Sequence, residues 1–133
     1  MELIPWNDNY KVNIDEIDNQ HKGLFMLLNG LHESMMAGKA KDELDDVLAH
    51  LVDYTKKHFA AEEKLMVKFA YPEYEKHKLE HDTFIQKVDY FQEEIGAGKR
   101  IISAEILTFL RDWLVNHILK TDKEYQGFFE GKV

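Results

Sequence analysis

The chain has 133 residues, 25 Asp plus Glu against 17 Lys plus Arg, a formal charge of -8, no Cys and seven His. That length suits one domain able to bury a real core, and 44% hydrophobic with 32% charged residues argues against intrinsic disorder. The acidic balance disfavours nucleic acid and anionic membranes as partners, and the lack of Cys removes disulfides, zinc thiolates, iron-sulfur clusters and thiol nucleophiles together. With only two Pro and seven Gly there is little punctuation for a sandwich of short strands, so composition favours helices. Met1 to Tyr10 carries no secretory signal and no stretch of 18 apolar residues exists. A cytoplasmic protein with no membrane insertion is the expectation.

Residues 1–17 read as an extended arm, opened by Pro5 and Trp6, with Tyr10, Val12 and Ile14 alternating with polar residues. From Asp18, a candidate N-cap, the period becomes helical through His21, Leu24, Phe25, Leu28, Leu31 and Met35, and Gly38 is a natural stop. A second helix from about Asp42 to Lys68 carries Leu44, Leu48, Leu51, Thr55, His58, Glu62 and Leu65 on one stripe. Tyr71-Pro72 breaks the chain. The third helix then places His77, His81, Phe84, Val88, Phe91 and Ile95 at steps of three and four, and ends at Gly96-Ala97-Gly98. Ser103 can cap a fourth helix with Leu107, Leu110, Leu114, His117 and Ile118 inward. The expected architecture is all-α: an antiparallel, up-down-up-down four-helix bundle in a single domain, with an arm (1–17), the bundle (18–122) and a C-terminal tail (123–133) whose Tyr125, Phe128 and Phe129 can pack.

In that topology His21, His58, Glu62, His77, His81 and His117 all fall at one end of the bundle, on core-facing stripes. Asp122 follows His117 by five residues, about 140° around an ideal helix, so it joins them only if the helix ends, tightens or carries a π-bulge there. A lone inward His is usually satisfied by a backbone partner, but five imidazoles with carboxylates have no inexpensive structural explanation, because desolvating them unpartnered is costly. A metal centre accounts for them. Imidazole with carboxylate suits iron, zinc, copper or nickel, and seven ligands exceed what one ion takes. Two octahedral ions bridged by the carboxylates and a solvent oxygen use all seven and leave one position for a small neutral ligand such as O2. His32 and His50 fall off the site, and Glu63, about 100° from Glu62, reads as surface.

These residues resemble the hemerythrin family, specifically its single-domain bacterial members. The likeness spans nearly the whole chain: Trp6 with Tyr10, Val12 and Ile14; Asp18-x-Gln20-His21; His58-Phe59-x-x-Glu62-Glu63; Tyr71-Pro72; His77-x-x-x-His81; and Trp113-Leu114-x-x-His117-Ile118-x-x-x-Asp122. Asn13 stands where bacterial relatives often carry Gly, and asparagine accepts positive φ. The resemblance implies two iron ions per chain, cycling between Fe2+ and Fe3+. His77, His81 and His117 would hold one iron, and His21 and His58 the other, with Glu62, Asp122 and an oxo or hydroxo group bridging them. It also implies reversible O2 binding at the iron with two histidines, and accounts for Asp122, since the five-residue step is the family's own.

The expected O2 pocket is walled by Leu114, Phe59, Ile118, Trp113 and Leu28, with Leu114, one turn before His117, nearest the ligand. The expected function is oxygen carriage, storage or supply to an oxygen-consuming partner enzyme, by a monomer with no catalytic residue. The alternatives are a di-iron oxidase or peroxidase, which needs polar groups for a substrate, and an oxygen or redox sensor, which needs a separate partner.

Overall fold

The computed structural model describes residues 3–99, 103–129, 131 and 132, and among these there is no strand. The helices are α1 (Asp15–Met36), α2 (Lys41–Lys68), α3 (Tyr74–Gly96), α4 (Ala104–Asn116) and a short α5 (Lys123–Phe129), with a π-helical stretch, His117–Asp122, joining α4 to α5. They form the up-down-up-down four-helix bundle, in which α1 packs on α2 and α4, and α2 on α3. At 28 residues α2 is the longest, about 42 Å. None of the helices among the described residues is long and apolar enough to cross a membrane.

Each turn between helices has a local cause. Gly38 and Gly98 follow α1 and α3 with φ of 71° and 74°, the left-handed conformation that closes a helix, while Ala70 takes φ 53° after α2 without glycine's freedom. Ser103 caps α4, its Oγ accepting from Ile106 N at 3.5 Å. Asp18, in contrast, is not an N-cap. The helix starts three residues earlier, where Asp15 and Glu16 already supply the negative charge its N-terminus favours. Freed from capping, the Asp18 carboxylate accepts from Val12 N at 2.7 Å and ties the arm to α1. Asn13 takes φ 63° there, as an asparagine can.

The arm is not wholly extended. The Asn7 side chain accepts from Asn9 N at 2.8 Å and caps a turn of 3-10 helix, Asp8–Tyr10. That turn lets Tyr10 and Trp6 meet Phe25 edge-on, at 4.8 and 5.2 Å between ring centroids. Buried Asn29 grips the arm further back, with its amide paired to both Ile4 N and Ile4 O at 2.8 and 3.0 Å.

Two apolar clusters result. The larger fills the bundle with Leu24, Leu28, Leu51, Phe84, Leu110 and Leu114 among others. The smaller closes one end with Val12, Ile14, Ile17, Met66, Tyr71, Tyr125 and Phe129, so Lys123–Phe129 of the tail is a packed helix. A layer of inward ionisable residues lies between the two clusters: His21 between Ile17 and Leu24 on α1, for example, and Glu62 between Phe59 and Met66 on α2.

Candidate metal centre

Seven ionisable side chains occupy that polar layer: His21, His58, Glu62, His77, His81, His117 and Asp122, none more than 3% exposed. They divide into two overlapping groups whose ligand-type atoms lie within 4.8 Å of one another. Glu62, His77, His81, His117 and Asp122 form one; His21, His58, Glu62 and Asp122 form the other. The two carboxylates are common to both.

Asp122 reaches the layer because the backbone is π-helical over His117–Asp122. With i to i+5 bonding, residues five apart share a face, which removes the 140° discrepancy of an ideal α-helix. Its oxygens then lie 3.1 Å from His21 Nε2, 3.0 Å from His77 Nε2 and 3.0 Å from His117 Nε2. Glu62 Oε1 lies 3.0 Å from His58 Nε2 and 3.4 Å from His81 Nε2, and Tyr125 donates its hydroxyl to the other Glu62 oxygen.

The imidazoles are held from outside by Gln20 and Glu63, which stand in the sequence motifs without an assigned role, and by Glu80, which no motif names. Gln20 Oε1 lies 2.6 Å from His58 Nδ1, Glu63 Oε2 2.8 Å from His81 Nδ1, and Glu80 Oε1 3.0 Å from His117 Nδ1. Each partner is an acceptor, so Nδ1 carries a proton and Nε2 is the nitrogen turned inward, with its lone pair available whenever the imidazole is neutral. Glu63 is therefore not simply surface, although it reaches the outer nitrogen only. Aromatic rings fix the imidazole planes: Phe59 stacks on His81 (3.8 Å, 3°), Trp113 on His117 (4.4 Å, 12°) and Tyr125 on His77 (5.6 Å, 13°). His50 is exposed and His32 half-buried about three turns along α1 from His21, both away from the layer.

The electrostatics show a cation-seeking volume. Burial and the neighbouring Asp122 push the Glu62 pKa up, but His58 and His81 outweigh them and hold it below the usual carboxylate range. Burial likewise opposes ionisation of Asp122, and His117, His21 and His77 overcome it. Burial works against a charged His117, yet Asp122 and Glu80 raise its pKa to about 10. Even so, His21 Nε2, His77 Nε2, both Asp122 oxygens and Glu62 Oε1 lie about 3 Å from one another's groups without hydrogen-bond geometry, and the Nδ1 atoms of His21 and His77 have no hydrogen-bond partner among the described residues. His81 Nε2 and His117 Nε2 face each other at 3.1 Å. Buried polar atoms are ordinarily paired, and inward lone pairs left over in such number fit metal cations bridged by carboxylates.

Beside this layer lies a small apolar cavity of about 20 Å³. Its lining repeats the ligand pattern one turn further into the bundle: Leu24 follows His21 by three residues, Phe84 follows His81 by three, Thr55 precedes His58 by three and Leu114 precedes His117 by three. Of the five expected pocket residues, Leu28 and Leu114 line it. Phe59 and Trp113 are placed instead as plates against imidazoles, and Ile118 is fully buried in the larger core. Phe59 departs by level rather than by face: it lies one turn beyond Thr55 on the same stripe of α2, at the height of the imidazoles, where it stacks on His81.

A four-helix bundle with a buried histidine and carboxylate layer suited to metal ions is the class of protein that the fold and site define. The family model described as the hemerythrin HHE cation binding domain matches residues 12–129, and the chain belongs to the hemerythrin family. It is 38% identical over 125 residues to a bacteriohemerythrin of Stenotrophomonas maltophilia, covering 94% of this chain and 80% of that protein. A bacteriohemerythrin of Methylococcus capsulatus is 36% identical over 126 residues, with 94% and 95% covered. Among solved structures, wild-type hemerythrin superimposes with a TM-score of 0.90 at 36% identity, covering 94% of this chain and 96% of that one.

Proposed function

We propose that this chain binds O2 reversibly at a pair of iron ions held by His21, His58, Glu62, His77, His81, His117 and Asp122, as an oxygen carrier, store or supplier rather than an enzyme. The three-imidazole group would hold one iron and the two-imidazole group the other, with Glu62 and Asp122 reaching both. Iron held there would supply the electrons for reversible O2 binding. The chain's own contribution is enclosure.

The observation that carries this reading is the cavity one turn inward from four of the five imidazoles. Its lining holds no charged side chain, and its one hydroxyl, Thr55, donates to Leu51 O at 2.7 Å. A space of that size and polarity admits a diatomic molecule and stays dry. It offers nothing to orient an organic substrate, which supports binding over oxidation chemistry. Glu62, Asp122 and Tyr125 are sealed behind the apolar ends of the layer, so protons and water are kept from whatever occupies it.

Anaerobic reconstitution with ferrous iron, followed by alternating oxygen and argon in an optical cell, tests the reading. Two irons per chain and a colour change that reverses over repeated cycles are expected. Irreversible bleaching with release of peroxide refutes it in favour of an oxidase.

A further inference from the structure

The five imidazoles are not backed alike. On the three-imidazole side, His117 and His81 each present Nδ1 to a carboxylate, Glu80 at 3.0 Å and Glu63 at 2.8 Å. On the other side His58 faces the neutral amide of Gln20, while one imidazole in each half, His77 and His21, has no hydrogen-bond partner at Nδ1 among the described residues, so the difference lies in what backs the others. Both carboxylates lie near enough to the surface to be solvated, with side chains 37% and 20% exposed, yet each turns an oxygen inward onto a buried nitrogen. Glu80 is also gripped from a second side, Thr121 Oγ1 donating to its two oxygens at 2.8 and 2.9 Å.

An anion accepting the Nδ1 proton makes an imidazole a stronger donor at Nε2; a neutral amide does so less. A full negative charge just outside the ligand shell also attracts a cation through the low-dielectric interior. Both effects act on one half of the layer.

We propose that Glu63 and Glu80 are positioning residues that rank the two halves, so that the half with His77, His81 and His117 binds a divalent cation first and more tightly than the half with His21 and His58. The inference rests on the two-ion reading above. The difference in imidazole number points the same way, and the two carboxylates widen the gap. Glutamine at either position keeps an oxygen to accept from Nδ1 but removes the charge, whereas alanine removes both.

The test uses the full chain stripped by chelator and titrated with cobalt(II) against a colorimetric competitor, with circular dichroism checking that each variant is folded. The wild-type chain should bind two ions in two resolved steps. Glu80→Gln and Glu63→Gln should each weaken the first step by about 10-fold or more and leave the second unchanged. Gln20→Glu should tighten the second step and narrow the gap, an arm that stands even if a Glu63 or Glu80 variant fails to fold. Glutamine variants that titrate like wild type, with only Glu80→Ala weakened, overturn the proposal by leaving orientation as the sole role of these residues. Equal weakening of both steps, or a single step for both ions, overturns it too. Uptake of fewer than two ions by the wild-type chain overturns the two-ion reading itself, so stoichiometry separates the two failures.

Discussion

Two glycines in α1 should respond to alanine with opposite signs, and the difference measures a contact that braces the metal layer. At Gly30 an added Cβ meets nothing within 4 Å. Alanine there improves helix propensity without a clash, a gain of about 1 kcal/mol. At Gly23 the added Cβ collides with the Tyr54 hydroxyl oxygen and comes within 2.8 Å of its ring carbon. Tyr54 packs on the larger core and donates to Gln20 O at 3.3 Å, and the Gln20 side chain holds His58. Displacing the ring costs about 1 to 3 kcal/mol in packing and about 0.5 to 1.5 kcal/mol for the hydrogen bond, against the same propensity gain of about 1 kcal/mol. The net is a loss of about 2 kcal/mol. For a chain of 133 residues, 1 kcal/mol moves Tm by about 4 °C, so Gly30→Ala should raise Tm by about 4 °C and Gly23→Ala lower it by about 8 °C. Calorimetry on the metal-free chain is the assay, since ligand linkage then does not contribute. In a Tyr54→Ala background Gly23→Ala should turn stabilising. Equal stabilisation by both alanines in the wild-type background refutes the argument.

Leu114→Ala should cost about 3 kcal/mol, because Leu114 is only 7% exposed and the gap would merge with a cavity already there. With iron bound it should also speed autoxidation by admitting water, and an unaltered rate removes Leu114 from the ligand pocket. His77→Ala should lose at least one of two bound metal ions per chain by elemental analysis; retention of both contradicts the ligand assignment. Ala70→Gly should stabilise by about 0.5 to 1 kcal/mol, because φ 53° strains a side-chain-bearing residue. Urea unfolding checks this, and a loss of similar size shows that unfolded-state entropy outweighs the strain.

Most of the metal layer is legible in the chain because a helix writes its buried face every three or four residues. His21, Leu24 and Leu28, or His77, His81 and Phe84, cannot share a stripe without facing the same side. The helix start is not legible at Asp18 for a physical reason: an acidic residue near a helix start serves equally as a cap or as a first-turn charge, and here it is the latter with a second task at Val12 N. Asp122 needed the backbone itself, since five residues place it on the wrong face of an α-helix and on the right face of a π-helix.

Gln20, Glu63, Glu80 and Tyr125 carried no comparable signal. On their own helices they sit off the ligand stripes or in the tail, and they matter only through rings on other helices: Gln20 of α1 meets His58 of α2, Glu63 of α2 meets His81 of α3, and Glu80 of α3 meets His117 beyond α4. What the sequence by itself determined is which residues each helix turns inward, and hence that seven histidines separate into five at one buried layer and two outside it, because helical periodicity is a local property. Only the tertiary structure decided which inward nitrogen is backed by a charge, which by an amide and which by nothing. Those pairings depend on how neighbouring helices interdigitate, and an offset of one turn there carries a glutamate from an imidazole into water.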